Sequence, residues 1–192
     1  MLLKRRAPGI ERLPAIATKG FEHLDADSIA VLRWLVANGV DFVLVGAIAQ
    51  QLRGQQQAQG PVAIVPAPYH RNYERLARAL SAAHARQRTP SAGAGQPDAV
   101  AVKVTADKLA RGERWSFRCG DHDIDIEAVR TAAGQGAKSA SGYEELLYES
   151  TRVEPVPGVA VEVASPEDIE RWARGGSGSP GAAPAVASET QD

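Results

Sequence analysis

A strand that turns at a glycine into a short helix, followed by a second apolar strand, constrains the fold of this chain most. The first strand is predicted over residues 41–45. Gly46 and Ala47 form the turn, and the helix is predicted over residues 47–52. A polar link then leads to the second strand at residues 62–65. Short, continuous apolar runs between turn signals predict buried strands, so this unit is expected to lie in the core.

Helical and strand patterns alternate along the chain, which predicts an α/β or α+β fold with a mixed β-sheet flanked by helices. Ser165 followed by Pro166 and by an acid at Asp168 is close to a capping box and opens the last helix. The other helices are predicted at residues 25–38, 71–85, 106–111 and 143–150. Further strands are predicted at residues 114–119, 121–129 and 159–163, and residues 99–105 are either a strand or the approach to a helix.

Length and composition predict one domain with irregular segments around and inside it. Residues 1–20 are expected to form a flexible arm, because prolines and a glycine interrupt them. Residues 21–174 form the predicted domain, in which residues 86–98 are a mobile loop of low complexity. Residues 175–192 are a glycine-rich tail that is expected to be disordered.

Charge and cysteine content exclude several classes of protein. A net charge of −1 gives no general attraction to nucleic acid, so nucleic acid is not an expected partner. The single cysteine, Cys119, excludes an intrachain disulfide, and no Cys/His spacing indicates a zinc site. No apolar run suits a signal peptide or reaches the roughly 18–20 residues of a transmembrane helix. We therefore expect a cytoplasmic protein with no membrane partner.

The strand–glycine–helix–strand unit resembles the first half of the minimal nucleotidyltransferase fold, the DNA polymerase β-like superfamily. In that family a strand ends in Gly-Gly or Gly-Ser, a short helix follows, and the next strand carries Asp-x-Asp. Gly46 matches the first turn glycine, and Ala47 stands where Gly or Ser is usual. The resemblance extends over residues 25–172. Within it, the sequences of residues 142–146, 159–163 and 164–168 are similar to those of bacterial members. It implies that the backbone at Gly46 and Ala47 contacts the nucleotide phosphates.

The paired acids of the family are missing from this chain, since Pro61 and Ala63 occupy their positions. Two carboxylates one residue apart on a strand point to the same face and can hold the two Mg²⁺ ions that neutralise a triphosphate. Neither a proline nor an alanine side chain binds a metal. The loss of both acids should therefore remove most of the metal affinity and the electrostatic stabilisation that depends on it.

The third acid of the family lies on a later strand, in a stretch often read as Gly-x-Leu-Asp-Leu. Residues 120–126 fit this stretch, and Asp125 is the assigned counterpart. Along this strand acidic residues alternate with His122 and apolar residues, which predicts one acidic and one apolar face. One interpretation is a rebuilt metal site in which Asp123 and Asp125 are catalytic and hold Mg²⁺ alone. The other is a strand with a solvated acidic face, with His122 partly buried rather than a ligand.

A glutamine-rich segment with Arg53 follows the short helix. Gln57 and Gln59 fall where related sequences have Arg and Thr just before the first acid. The amides and Arg53 are candidates to hydrogen-bond a nucleotide without metal, with Gln57 as the assigned contact beside Gly46 and Ala47. The alternative is a solvated loop.

Three functions remain open. The favoured one is a degenerate nucleotidyltransferase-like protein that no longer catalyses and binds a nucleotide weakly, or a protein partner, at the old cleft. The second is a working enzyme of the toxin–antitoxin or abortive-infection type, which would use Mg²⁺, a nucleoside triphosphate, Asp123 and Asp125, with an antitoxin-like protein as partner. The third is a structural or regulatory partner protein without a ligand.

Overall fold

The computed structural model describes residues 10, 21, 24–55, 58–89, 98–128 and 140–175. Within these ranges the chain forms helices around one mixed sheet, which confirms the predicted α/β class. The helices are α1 (Ala26–Ala37), α2 (Gly46–Leu52), α3 (His70–Ala82), α4 (Ala106–Leu109), α5 (Ala140–Tyr148) and α6 (Pro166–Gly175). The strands are β1 (Phe42–Val45), β2 (Val62–Pro66), β3 (Arg86–Arg88), β4 (Ala99–Ala101), β5 (Trp115–Cys119), β6 (His122–Ile126), β7 (Thr151–Val156) and β8 (Val159–Val163).

The eight strands form one sheet in the order β4-β3-β5-β6-β2-β1-β8-β7. β1 runs antiparallel to β2 and parallel to β8, and β2 runs parallel to β6. β1 and β2 are buried along their whole length. The predicted central unit therefore lies in the middle of the sheet, where it positions the neighbouring polar residues of β6.

Local sequence signals explain the helix boundaries close to the site. Asp25 caps α1, because its carboxylate accepts hydrogen bonds from the backbone N–H and the hydroxyl of Ser28. Gly39, with φ +66°, follows the end of this helix. At the start of α6, the Ser165 hydroxyl accepts from the backbone N–H of Asp168 and donates to its carboxylate. The predicted capping arrangement is confirmed.

The predicted loop at residues 86–98 is wrong at its beginning. Residues 86–88 form β3, which pairs antiparallel with both β4 and β5. The segment Arg-Gln-Arg has no apolar alternation, so its strand structure depends on neighbours that are distant in sequence. Residues 90–97 of that loop lie outside the described residues, as do most of the predicted arm, the tail from residue 176 onward, and Gln57.

Strand β7, like β3, was not predicted from the sequence. It pairs only with β8 and contains Pro155, so it is an edge strand. Proline cannot donate a ladder hydrogen bond and is tolerated at a sheet edge. Among the described residues, none of the helices is long and apolar enough to cross a membrane.

Candidate functional site

The strand register places Ala63 between Val45 of β1 and Asp125 of β6. Val45 pairs with Ala63 in the antiparallel ladder, and Ala63 pairs with Asp125 in the parallel ladder. Partners in adjacent strands have their side chains on the same face of the sheet. The neighbour of the Asp125 carboxylate on β2 is therefore a methyl group and not a second acid.

Small residues allow the turn after β1 to approach β2 closely. Gly46 has φ +69°, and a Cβ added there would lie 3.0 Å from the Ala63 Cβ. A Cβ on Gly60 would lie 3.1 Å from the Ala47 Cβ. Gly46 and Ala47 are both partly exposed. Their assignment as nucleotide contacts stays a prediction, as does that of Gln57, which is outside the described residues.

Arg114 holds the two most buried carboxylates of the acidic face. Its Nη2 lies 3.2 Å from the Asp125 Oδ2, and its Nε lies 2.9 Å from the Glu127 Oε1. Asp125 and Glu127 are each only 7% exposed, whereas the Arg114 side chain is 46% exposed. One guanidinium group, reached from the surface, thus neutralises two carboxylates that are almost withdrawn from water.

Asp123 is held by two further arginines. The Arg118 Nε lies 2.9 Å from its Oδ1, and the Arg88 Nη1 lies 3.4 Å from its Oδ2. Arg118 also forms an ion pair with Asp98. The hydrogen bond and the charge of Asp123 raise the pKa of the Arg118 guanidinium. Asp123 therefore belongs to a network of alternating charges on β3, β5 and β6.

These contacts correct the prediction of a solvated acidic face. Asp125 and Glu127 are buried and paired with arginine, and Asp123 is half-buried. They also bear on the proposed Mg²⁺ site, since a metal needs carboxylate oxygens that are open to it. One oxygen, the Asp125 Oδ1, is buried with no hydrogen-bond partner in the described part of the chain. With arginines on both aspartates and no further acid on β2, these residues do not fit a two-metal site.

A cleft opens at the end of the sheet where β2 and β6 begin. It measures about 360 Å³, and we call it the aspartate cleft. Its lining includes residues from the start of α1 and from the N-terminal ends of β2 and β6: Asp25, Asp27, Gly60, Pro61, Asp121, His122 and Asp123, together with Arg88 of β3. Among the described residues of the lining, four aspartates face one arginine, so this part of the cleft is acidic.

His122 lies on the apolar face of β6, as predicted. The side chain is buried, and its Nδ1 lies 3.8 Å from the Asp27 Oδ1 at the start of α1.

Cys119 is the neighbour of His122 across the β5–β6 hairpin. Burial raises the pKa of the Cys119 thiol to about 12, so this thiol is protonated at neutral pH and is not a nucleophile.

Arg53 has a structural role, so its side chain is not simply part of a solvated loop. Its guanidinium donates to the carbonyl oxygens of Val163 and Ala164, at the end of β8, and to the Thr151 hydroxyl. These bonds tie the end of α2 to β7 and to the approach to α6. The Nε and Nη2 donors of Arg53 are thus engaged within the fold. A nucleotide contact of Arg53 stays a prediction.

The sequence analysis did not predict the arginine partners of the acidic face, although the register of the β5–β6 hairpin indicates them. The β5–β6 hairpin turns at Gly120, and its register pairs Arg118 with Asp123 and Ser116 with Asp125. The same register continued outward brings Arg114 opposite Glu127. Counting residues back from the predicted turn would therefore have set the arginines of one strand against the acids of the other.

Comparison with known proteins finds no matching family model and no matching curated protein.

Proposed function

We propose that this chain is a degenerate nucleotidyltransferase-like protein that does not transfer nucleotides and uses the aspartate cleft to recognise a basic protein partner. The observation that carries the loss of nucleotide transfer is the environment of Asp125, which lies outside the lining of the aspartate cleft. Its neighbour on β2 is Ala63, and its charge is neutralised by Arg114. A triphosphate and its leaving pyrophosphate need metal ions at this position, and guanidinium groups on Asp123 and Asp125 compete with them.

The charge of the cleft favours a basic partner over a free nucleotide. Four aspartates line it, and Arg88 is its one arginine among the described residues. Without a bound metal, phosphate groups would be repelled there, so we expect nucleotide binding to be weak at most. Lysine and arginine side chains of a protein partner would instead meet complementary charge, which steers association and selects the partner.

Titration calorimetry and a transfer assay test the catalytic part. The full chain is titrated with ATP, GTP, CTP and UTP, each with Mg²⁺ and with EDTA, and incubated with labelled triphosphates. We expect weak heat or none, no dependence on Mg²⁺, and no transfer. Mg²⁺-dependent transfer that Asp125→Ala abolishes would instead establish the working enzyme with a displaced site.

A basic peptide tests the recognition part. A short peptide rich in lysine and arginine is titrated against the chain, against Asp27→Asn/Asp121→Asn, and against Asp107→Asn/Glu144→Asn. The first pair removes two charges from the cleft, and the second removes two exposed charges elsewhere. We expect a large loss of affinity only for the cleft variant. Equal losses would show general charge attraction and would contradict a role for the cleft.

A further inference from the structure

The charge of this chain is divided between two surfaces, although its net charge is only −1. One surface is the aspartate cleft, and the other is the outer side of α3. Arg71, Arg75 and Arg78 are spaced i, i+4 and i+7, which places them on one face of this helix. We call these three residues the arginine stripe. Glu74, which flanks the stripe, lies 3.5 Å from the His70 imidazole.

Two guanidinium groups of the stripe are available to a partner. Arg71 and Arg78 are exposed, and within the described ranges neither side chain has a hydrogen bond or an ion pair. Two turns of helix separate them, so their Cα atoms are about 10 Å apart. Arg75, between them, donates to the Gly39 carbonyl oxygen and lies 3.3 Å from the Asp41 Oδ2. The stripe therefore presents two cations at a fixed spacing.

The aspartate cleft offers exposed carboxylates to such cations. The Asp27 side chain is 54% exposed, and Asp121 is exposed at the turn between β5 and β6. An exposed carboxylate can accept hydrogen bonds from more than one donor. Contacts within the chain therefore leave both groups accessible to a basic side chain of a partner.

The cleft also contains an unsatisfied polar atom. The His122 side chain is only 8% exposed and lines the cleft. Its Nδ1 has no hydrogen-bond partner among the residues that the structure describes. The 3.8 Å to the Asp27 Oδ1 is too long for a hydrogen bond. Because buried polar atoms of native proteins are nearly always satisfied, this nitrogen indicates that the cleft is completed by another group.

We propose that the arginine stripe of one chain binds the aspartate cleft of a second copy, with Arg71 and Arg78 directed to the Asp27 and Asp121 carboxylates. This inference rests on the proposed function, since it names the basic partner of the cleft. The two surfaces differ, so the contact is heterologous and joins the copies head to tail. Exposed ion pairs contribute little individually and are screened by salt. The association is therefore weak, and it is strongest at low ionic strength.

Sedimentation velocity of the full chain tests the association. Samples of rising protein concentration are compared at low and at high salt. We expect the average mass to rise with concentration at low salt and to return to that of a single chain at high salt. The mass of a single chain in every sample would overturn the proposal, and so would an association that salt leaves unchanged.

Charge reversal localises the contact. Arg71→Glu/Arg78→Glu and Asp27→Lys/Asp121→Lys should each weaken self-association about ten-fold or more, because like charges then face each other. An equimolar mixture of the two variants contains complementary surfaces again, so association should return in it. If the mixture stays as dissociated as the separate variants, the stripe does not bind the cleft.

The matched control is Arg111→Glu/Arg152→Glu. It changes the net charge by the same amount as the stripe variant, at two exposed arginines outside the stripe. We expect it to keep most of the association, and a loss equal to that of the stripe variant would contradict the site. If the cleft variant does not fold, the comparison of the stripe variant with this control decides.

The peptide rich in lysine and arginine separates this inference from the proposed function. If the peptide binds at the cleft while the chain stays monomeric, the cleft has a different basic partner, and only the present inference fails. If neither the peptide nor a second copy binds, recognition of basic partners by the cleft fails as well.

Discussion

Ala63 of β2 lies directly beside Asp125 of β6, in register in the parallel pair. Ala63 is the position at which the family resemblance expects the second metal-binding acid, and Asp125 is the position of the third. The strand pairing thus brings together the two sites that a metal would bridge, with a methyl group at one of them. Arg114 supplies a positive charge beside the remaining carboxylate.

Restoring the acid on β2 should make stability depend on metal. We expect Ala63→Asp to lower the melting temperature more than Ala63→Asn, because it adds a second buried negative charge beside Asp125. Addition of Mn²⁺ should recover part of this loss for the aspartate variant only. Differential scanning fluorimetry with Mn²⁺ and with EDTA measures both effects. If the two variants lose the same melting temperature and Mn²⁺ does not change either value, the site does not bind a cation.

Removal of the shared arginine should destabilise the chain. We expect Arg114→Gln to lower the free energy of unfolding by about 1–3 kcal/mol, since it leaves two buried carboxylates without their guanidinium partner. The partial exposure of Arg114 keeps the loss below that of a fully buried pair. Urea unfolding measures it, with exposed Arg111→Gln as the control at about 0.5 kcal/mol or less. Similar midpoints for the two variants would contradict the importance of this pair.

Substitution of Gly46 tests the close approach of the turn after β1 to β2, and Gly39, which follows α1, is its control. Both have positive φ, but only at Gly46 would a Cβ meet a neighbour, the Ala63 Cβ at 3.0 Å. Gly39→Ala should cost about 1 kcal/mol from backbone strain alone. Gly46→Ala should cost more, and Ala63→Gly should recover the difference. The free energies of unfolding of the single and double variants give this coupling, and additive losses would rule out the contact.

Alkaline pH should destabilise the fold partly through Cys119. Its pKa is raised from 9.0 in the unfolded reference to about 12 by burial. The folded chain therefore holds the thiol proton more tightly, and this stabilisation is complete below pH 9 and lost as the pH rises towards 12. Between pH 8 and 10.5 the loss from this group is about 2 kcal/mol. Burial also raises the pKa of Tyr73 and Tyr143, which adds to the slope.

Cys119→Ala checks this assignment. Urea unfolding at several pH values should give a shallower decline above pH 9 for the variant than for the parent chain. The remaining decline belongs to the tyrosines. A decline of equal steepness in both chains would mean that the thiol does not contribute.

Much of the fold follows from local patterns. The turn at Gly46 and the capping arrangement at Ser165 were predicted, because each depends on residues within a few positions of one another. Strand β3 was not, since Arg86–Arg88 is extended only through pairing with β4 and β5. The edge strand β7 was missed because Pro155 interrupts its pattern.

In the candidate site, too, some features follow from the sequence and others only from the tertiary structure. The sequence by itself determined which residues occupy it, including the absence of acids at Pro61 and Ala63 and the alternation of acids on β6. Only the tertiary structure decided that Ala63 is the neighbour of Asp125, that Arg114 joins Asp125 to Glu127, and that Arg53 ties α2 to the end of β8. These contacts depend on strand register and on residues up to 111 positions apart. Side-chain periodicity identifies the face of a strand, but the partner across that face is selected by the packing of the whole sheet.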